Sequence, residues 1–300
     1  MLSLHTNAAA LSAQNSISRT QDNLSTSMTR LSTGFRINSA MDDAAGLQIA
    51  TRLKAQTSGM AMAMRNTQNS ISMLQTGEGA LDETTNILVR MKDLATQAAD
   101  GSSTADDQTA IQAEFDSLTS ELSNIMTNTK FGGTALLTDG TGKLSAAVTF
   151  QIGADTSETM DGDMSTELTD VHAKLLAVSA GYDGATGVAA AAGVEVGGGA
   201  ASAAAGSALA NATIGDLDDA INSVSTLRSK IGAISNRLDH VYNNLSNIST
   251  NTKTATGRIM DVDFASESAS MTSSQMLLQA GTAMLKQSNS QSSLVLSLLQ

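Results

Sequence analysis

No cysteine, proline or tryptophan occurs in the 300 residues, and aromatic side chains make up only 2% of them, as 2 Tyr and 5 Phe. Without Cys there is no disulfide, no zinc–thiolate cluster and no thiol nucleophile. The three histidines, His5, His172 and His240, lie too far apart for a metal-binding spacing. The HExxH, P-loop, GxSxG and GxGxxG patterns are all missing. The sequence therefore points to a protein that is not an enzyme and that carries no cofactor. No run of about 18 apolar residues exists, so no segment reads as membrane-inserting. The start, MLSLHTNAAALSAQ, has neither the basic region nor the apolar stretch of a cleaved secretory leader. Lys and Arg number 17 against 29 Asp and Glu, a net charge of -12, which argues against nucleic acid as a partner.

What is present is apolar periodicity. Hydrophobic residues make up 41% of the chain, and with so few aromatics the core must be Leu, Ile, Val, Met and Ala, which suits interlocking helices more than a sheet sandwich. Leu4, Ala8, Leu11, Ile17, Leu24, Met28, Leu31 and Phe35 step along one stripe, predicting a helix over residues 2–33 with Gly34 as its stop. Asp42 and Asp43 suit the start of the next helix, and capping is preferred over acid–base chemistry for that pair. From 43 to 99, Leu74, Leu81 and Leu88 recur by sevens, with Ile87, Met91, Leu94 and Ala98 extending the stripe. Gly59, Gly77 and Gly79 fall inside it, each at a cost of up to ~1 kcal/mol against Ala. A third helix over 105–128 carries Ile111, Phe115, Leu118, Leu122 and Ile125.

The texture then changes. FGGTALLTDGTGK (131–143) is turn-like, and AAVTFQIGA (146–154) predicts a strand of a small hairpin. Asp161 and Asp163 lack the rest of a calcium loop and read as a solvated turn. Residues 165–210, ending in AAAAGVEVGGGAASAAAGSALA, read as a loose surface excursion or a very small module. From Ile214 to Ile248, apolar residues step by three and four without a break, the cleanest coiled-coil seam in the chain. His240 within it reads as a surface or interhelical hydrogen-bonding group. After the polar stretch STNTKTATGR (249–258), a last helix is expected over 264–300, bearing Met276, Leu277, Ala280, Met284, Leu285, Leu294 and Leu298. Both terminal helices are poor in charge and rich in Ser, Thr, Gln and Asn.

RLSTGFRINSAMDDAAGLQIA (30–50) resembles the N-terminal signature of bacterial flagellins. ISNRLDHVYNNLSNISTNTKTATGRIMDVDFASE (234–267) resembles their C-terminal signature, SSQMLLQAGTAMLKQSNSQSSLVLSLLQ (273–300) their closing helix, and FQIGAD (150–155) their hairpin strand. The resemblance implies a mainly α fold: a long antiparallel helical coiled-coil bundle with a small β-hairpin region and a short variable outer segment. It divides the chain into an inner filament-core domain (1–42 with 255–300), a helical domain with the hairpin (43–165 with 213–254) and a variable exposed segment (166–212). It implies a homopolymer, a helical tube outside the cell that gives swimming motility, with export through the flagellar type III apparatus. It also implies an export chaperone and hook-associated and cap proteins as partners. The residues expected to pack between subunits are Leu4, Leu11, Ile17, Leu24, Met28, Leu31, Leu277, Met284, Leu285, Leu294 and Leu298. Arg90, Leu94, Gln97 and Glu114 resemble the flagellin patch read by Toll-like receptor 5, an expected secondary partner of the free subunit. A hook–filament junction protein is the alternative expectation.

Overall fold

The structure, a computed structural model, describes residues 7–187 and 193–298, and of 291–298 the backbone alone. It is mainly helical, as the periodicity predicts. Among the described residues the α-helices are α1 (Ala8–Thr33), α2 (Ala44–Ala99), α3 (Ala105–Asn128), α4 (Ser165–Val178), α5 (Ala203–Met260) and α6 (Phe264–Leu298). Two antiparallel hairpins complete the fold. One pairs β1 (Lys130–Phe131) with β2 (Thr134–Ala135), and the other pairs β3 (Val148–Gln151) with β4 (Thr159–Gly162). The FQIGA strand lies in the second hairpin, where Phe150 faces Met160 across the ladder and both are buried.

The chain divides into two compact units, one made of Met1–Thr57 with Ser249–Gln300 and the other of Ser58–Ile248. The division falls inside α2 and inside α5.

The second unit has a large core. Leu74, Leu81, Leu88, Met91 and Leu94 from α2 meet Phe115, Leu122 and Met126 from α3 and Leu217, Val224, Leu227, Ile231 and Leu238 from α5, all essentially inaccessible. The seam expected over 214–248 thus closes within the chain. A smaller cluster of Met60, Ala63 and Leu245 extends it. Ion pairs run along its outside: Arg228 of α5 reaches Glu78 and Asp82 of α2, and Lys174 and Glu167 of α4 reach Asp219 and Lys230 of α5. At α3 the Thr104 hydroxyl accepts from the Asp107 N–H while the Asp107 carboxylate accepts from the Thr104 N–H, a reciprocal capping box.

Two expectations are corrected. The 166–212 segment is not uniformly a surface excursion. Its first part is α4, whose Leu168, Val171, Leu175 and Val178 lie in the main core with Tyr182 and Val196. Spacings of three and four put these side chains on one helical face, which the neighbouring Ala/Gly run obscures in the sequence. The later part is pinned by Glu195, whose carboxylate accepts from the Ser179 hydroxyl, the Ala180 N–H and the Gln112 amide. The polar stretch 249–258 is no break either, since α5 runs through it to Met260. Thr254 and Thr256 turn their hydroxyls back to the carbonyls of Thr250 and Thr252, and no proline interrupts the ladder.

Candidate functional site

In the first unit, α1 and α6 pack side by side. At one end Asn7 caps α1, its side-chain oxygen accepting from the Ala10 N–H at 3.1 Å while its amide donates to the Ser288 hydroxyl at 3.2 Å. Midway, Gly281 lies so close to α1 that a Cβ there would sit 2.9 Å from Cγ1 of Ile17. Farther on, Arg30 lies 3.7 Å from Glu267. Residue numbers rise along α1 as they fall along α6, so the pair is antiparallel.

The chain leaves α1 through Gly34, whose φ of 76° is the left-handed cap that a side chain would strain, and whose N–H donates to Arg30. Phe35 then bridges Asp261, the Arg36 N–H donates to the Met260 carbonyl, and the Arg36 guanidinium donates to the Ile259 carbonyl at 2.9 Å. The turn that follows is held by Asp42, whose carboxyl accepts from the Ser39 N–H and hydroxyl and from the Asn38 N–H, and lies below the usual carboxylate range for that reason. Asp43 caps α2, accepting from the Gly46 N–H at 2.8 Å. Both carboxylates are structural, as their preferred reading had it.

Among the first unit's described residues only Ile37 and Ala50 are buried apolar side chains. Leu11, Met28, Leu277 and Met284 are all more than half exposed, with Met284 at 67%. Ile17, Leu24, Leu31 and Leu285 are half-buried along the α1–α6 seam. Leu4 lies outside the described residues, as do the side chains of Leu294 and Leu298. Met276, Phe264 and Phe35 add to the exposed apolar surface. The pair carries few charges, with Arg19, Asp22 and Arg30 on α1 and Glu267 and Lys286 on α6. Its threonines are internally bonded: Thr20, Thr26, Thr29 and Thr33 of α1 and Thr272 of α6 donate to the carbonyl four residues earlier.

The four residues on α2 and α3 do not share one surface. Arg90 donates from Nε at 3.0 Å and from Nη2 at 2.6 Å to Oε1 of Glu114, and both side chains are about half exposed. Gln97 and Val89 are exposed as well. Leu94, however, is only 2% exposed and belongs to the core, because it follows Ile87 by seven residues on the buried face of α2. Its role there is to support the surface from beneath.

No group of three or more His, Cys, Asp or Glu side chains among the described residues is arranged to hold a metal ion. A cavity of about 300 Å³ in the second unit is lined by Asp139, Thr169, His172, Leu176, Tyr182 and Asp183. His172 and Tyr182 there are occupied with each other.

Residues 4–141 match the family described as the bacterial flagellin N-terminal helical region, and residues 214–299 match the bacterial flagellin C-terminal helical region. The chain is similar to flagellin B of Vibrio cholerae, 34% identical over 377 aligned positions that cover 99% of each chain. It is similar to the flagellin of Bacillus subtilis, 38% identical over 304 positions that cover 98% of each. Among solved structures, a flagellar hook-associated protein of Vibrio parahaemolyticus matches 73% of this chain and 100% of its own at a TM-score of 0.52 and 16% identity, which is a likeness of fold.

Proposed function

The chain belongs to the bacterial flagellin family, and as this filament subunit, we propose, it meets further copies of itself through the α1–α6 pair. One observation carries the reading: among the described residues, the unit that holds α1 and α6 has almost no buried apolar side chain and several exposed ones. Burying a Leu or Met side chain contributes about 1.5–3 kcal/mol. Leu11, Met28, Leu277 and Met284 keep between 53% and 67% of their surface exposed, so covering the rest in a neighbour would release on the order of 3–7 kcal/mol gross per subunit, before the entropy of association is subtracted. Ile17, Leu24, Leu31 and Leu285 set the spacing of the pair, and the sequence adds Leu4, Leu294 and Leu298 as subunit-packing residues that lie outside the described side chains.

The role is mechanical. Each contact is modest, and repetition around and along a tube makes the assembly stable while a motor turns it. The family membership also supports export through the flagellar type III apparatus, an extracellular location, and contacts with an export chaperone and with hook-associated and cap proteins. For the free subunit, the exposed Arg90–Glu114 pair with Gln97 supports recognition by Toll-like receptor 5, while Leu94 lies beneath them in the core and Val89 stands where the family's pattern has Gln. Arg90→Ala should then lower a receptor reporter response, and an unchanged response removes that partner.

Elongation of short filament seeds, followed by negative-stain electron microscopy, tests the main reading. The full chain should extend the seeds into long tubes. A chain lacking residues 264–300, or carrying Leu277→Asp, should not, while its second unit keeps its helical circular dichroism. Seeds that are capped but not extended by the full chain would favour a junction protein instead.

A further inference from the structure

The chain holds 15 methionines and neither Cys nor Trp, so the thioethers are its readily oxidised groups. Their burial ranges widely, with Met64, Met260 and Met271 intermediate. Met73, Met91, Met126, Met160 and Met164 lie in the second unit's core and are at most 8% exposed. Met28 of α1 and Met276 and Met284 of α6 are 53%, 60% and 67% exposed. The sulfur that a small oxidant reaches in the helical pair is thus on the surface proposed above to be covered by neighbouring copies.

We propose that Met28, Met276 and Met284 form a reversible oxidation site of the free subunit, at which a peroxide stops filament growth. The inference rests on the assembly role assigned to α1–α6. A thioether lone pair attacks one peroxide oxygen, the O–O bond breaks and an S–O bond forms. The sulfur is oxidised by two electrons to the sulfoxide, and the departing oxygen takes the remaining proton and leaves as water. The product turns a flexible apolar side chain into one with a strong hydrogen-bond acceptor. Such a group is costly to bury against an apolar neighbour that offers no donor. An oxidised subunit docks poorly, and once docked it offers an impaired surface to the next copy. Subunits already within a filament are covered at these positions and escape. Met41 and Met62 are also exposed but lie off the α1–α6 helices, on the α1–α2 connection and in the second unit, and serve as internal controls.

The test treats free subunits with dilute hydrogen peroxide until peptide mass spectrometry finds one added oxygen on each of the three residues. Seed elongation is then timed. The treated chain should elongate seeds about tenfold more slowly or worse, and methionine sulfoxide reductases should restore the rate. Preformed filaments treated alike should keep the three residues unmodified. The triple variant Met28→Leu, Met276→Leu, Met284→Leu should elongate equally with and without peroxide, whereas Met62→Leu should give no protection. If the triple variant does not assemble, the single Leu variants replace it; partial protection by any of them supports the site, and none overturns it. A fully converted wild-type chain that elongates at the untreated rate also overturns it, as does a triple variant slowed as much as wild type. Untreated chain that fails to elongate seeds overturns the assembly role itself, and this inference with it.

Discussion

His172, on α4, is buried, with Nε2 at 2.7 Å from the Leu137 carbonyl and Nδ1 at 2.6 Å from the Tyr182 hydroxyl. A carbonyl can only accept, so in the neutral ring Nε2 carries the proton and Nδ1 accepts from Tyr182. Burial pushes the His172 pKa below its ordinary value, and the same burial raises that of Tyr182. The unfolded chain therefore binds a proton that the folded one refuses. Stability should be pH-independent at this residue above about 6.5, the ordinary histidine value, and fall as the pH drops below it. Denaturant midpoints between about pH 5 and 8 check this; the slope should be shallower in His172→Gln. Leu94→Ala should cost about 2–5 kcal/mol in the same assay, as for other buried leucines, whereas Arg90→Ala, which loses a half-exposed ion pair, should cost less than about 1 kcal/mol. The difference between these neighbours was present in the residues. Leu94 belongs to the same apolar stripe as Ile87, Met91 and Ala98, and that stripe is buried in the second unit's core although the surface motif overlaps it. His172, by contrast, gave no signal, because its partners at 137 and 182 are brought together only by the fold.

Among the elements, the helices and their ends were legible because apolar steps of three, four and seven are local and uninterrupted. What was not legible was where two elements approach closely. Gly59, Gly77 and Gly79 look alike in the sequence of α2, yet of these three only Gly59 is pressed by a neighbour, a Cβ there lying 2.7 Å from the Ala154 Cβ at the β3–β4 turn. A Cβ at Gly77 would meet Leu144 at an ordinary 3.5 Å. Gly77→Ala should therefore stabilise the chain by about 0.5–1 kcal/mol through lower entropy of the unfolded state, measured by denaturation. Gly281→Ala should do the opposite to the α1–α6 pair by displacing Ile17, and should slow seed elongation. The β1–β2 hairpin, only two residues per strand, was too short for any period to reveal, although Gly132 and Gly133, both at positive φ, make its turn.

At the scale of the whole molecule, burial is distributed unequally. The unit of Ser58–Ile248 holds nearly all the buried apolar side chains, so residues 58–248 excised from the chain should still unfold cooperatively. The helices of the other unit should be cut first by a protease in the free chain and become resistant in filaments, a comparison read directly by gel and mass spectrometry. The α1–α6 surface has a further consequence. It is polar in composition, but its threonine hydroxyls are already satisfied by their own backbone and only five charges are spread over both helices. Little Coulomb energy is at stake when such a surface is covered. Screening then has almost nothing to act on. Elongation should change by less than about twofold as added salt shrinks the Debye length from about 30 to 3 Å, so that joining of subunits is nearly indifferent to the salinity around them.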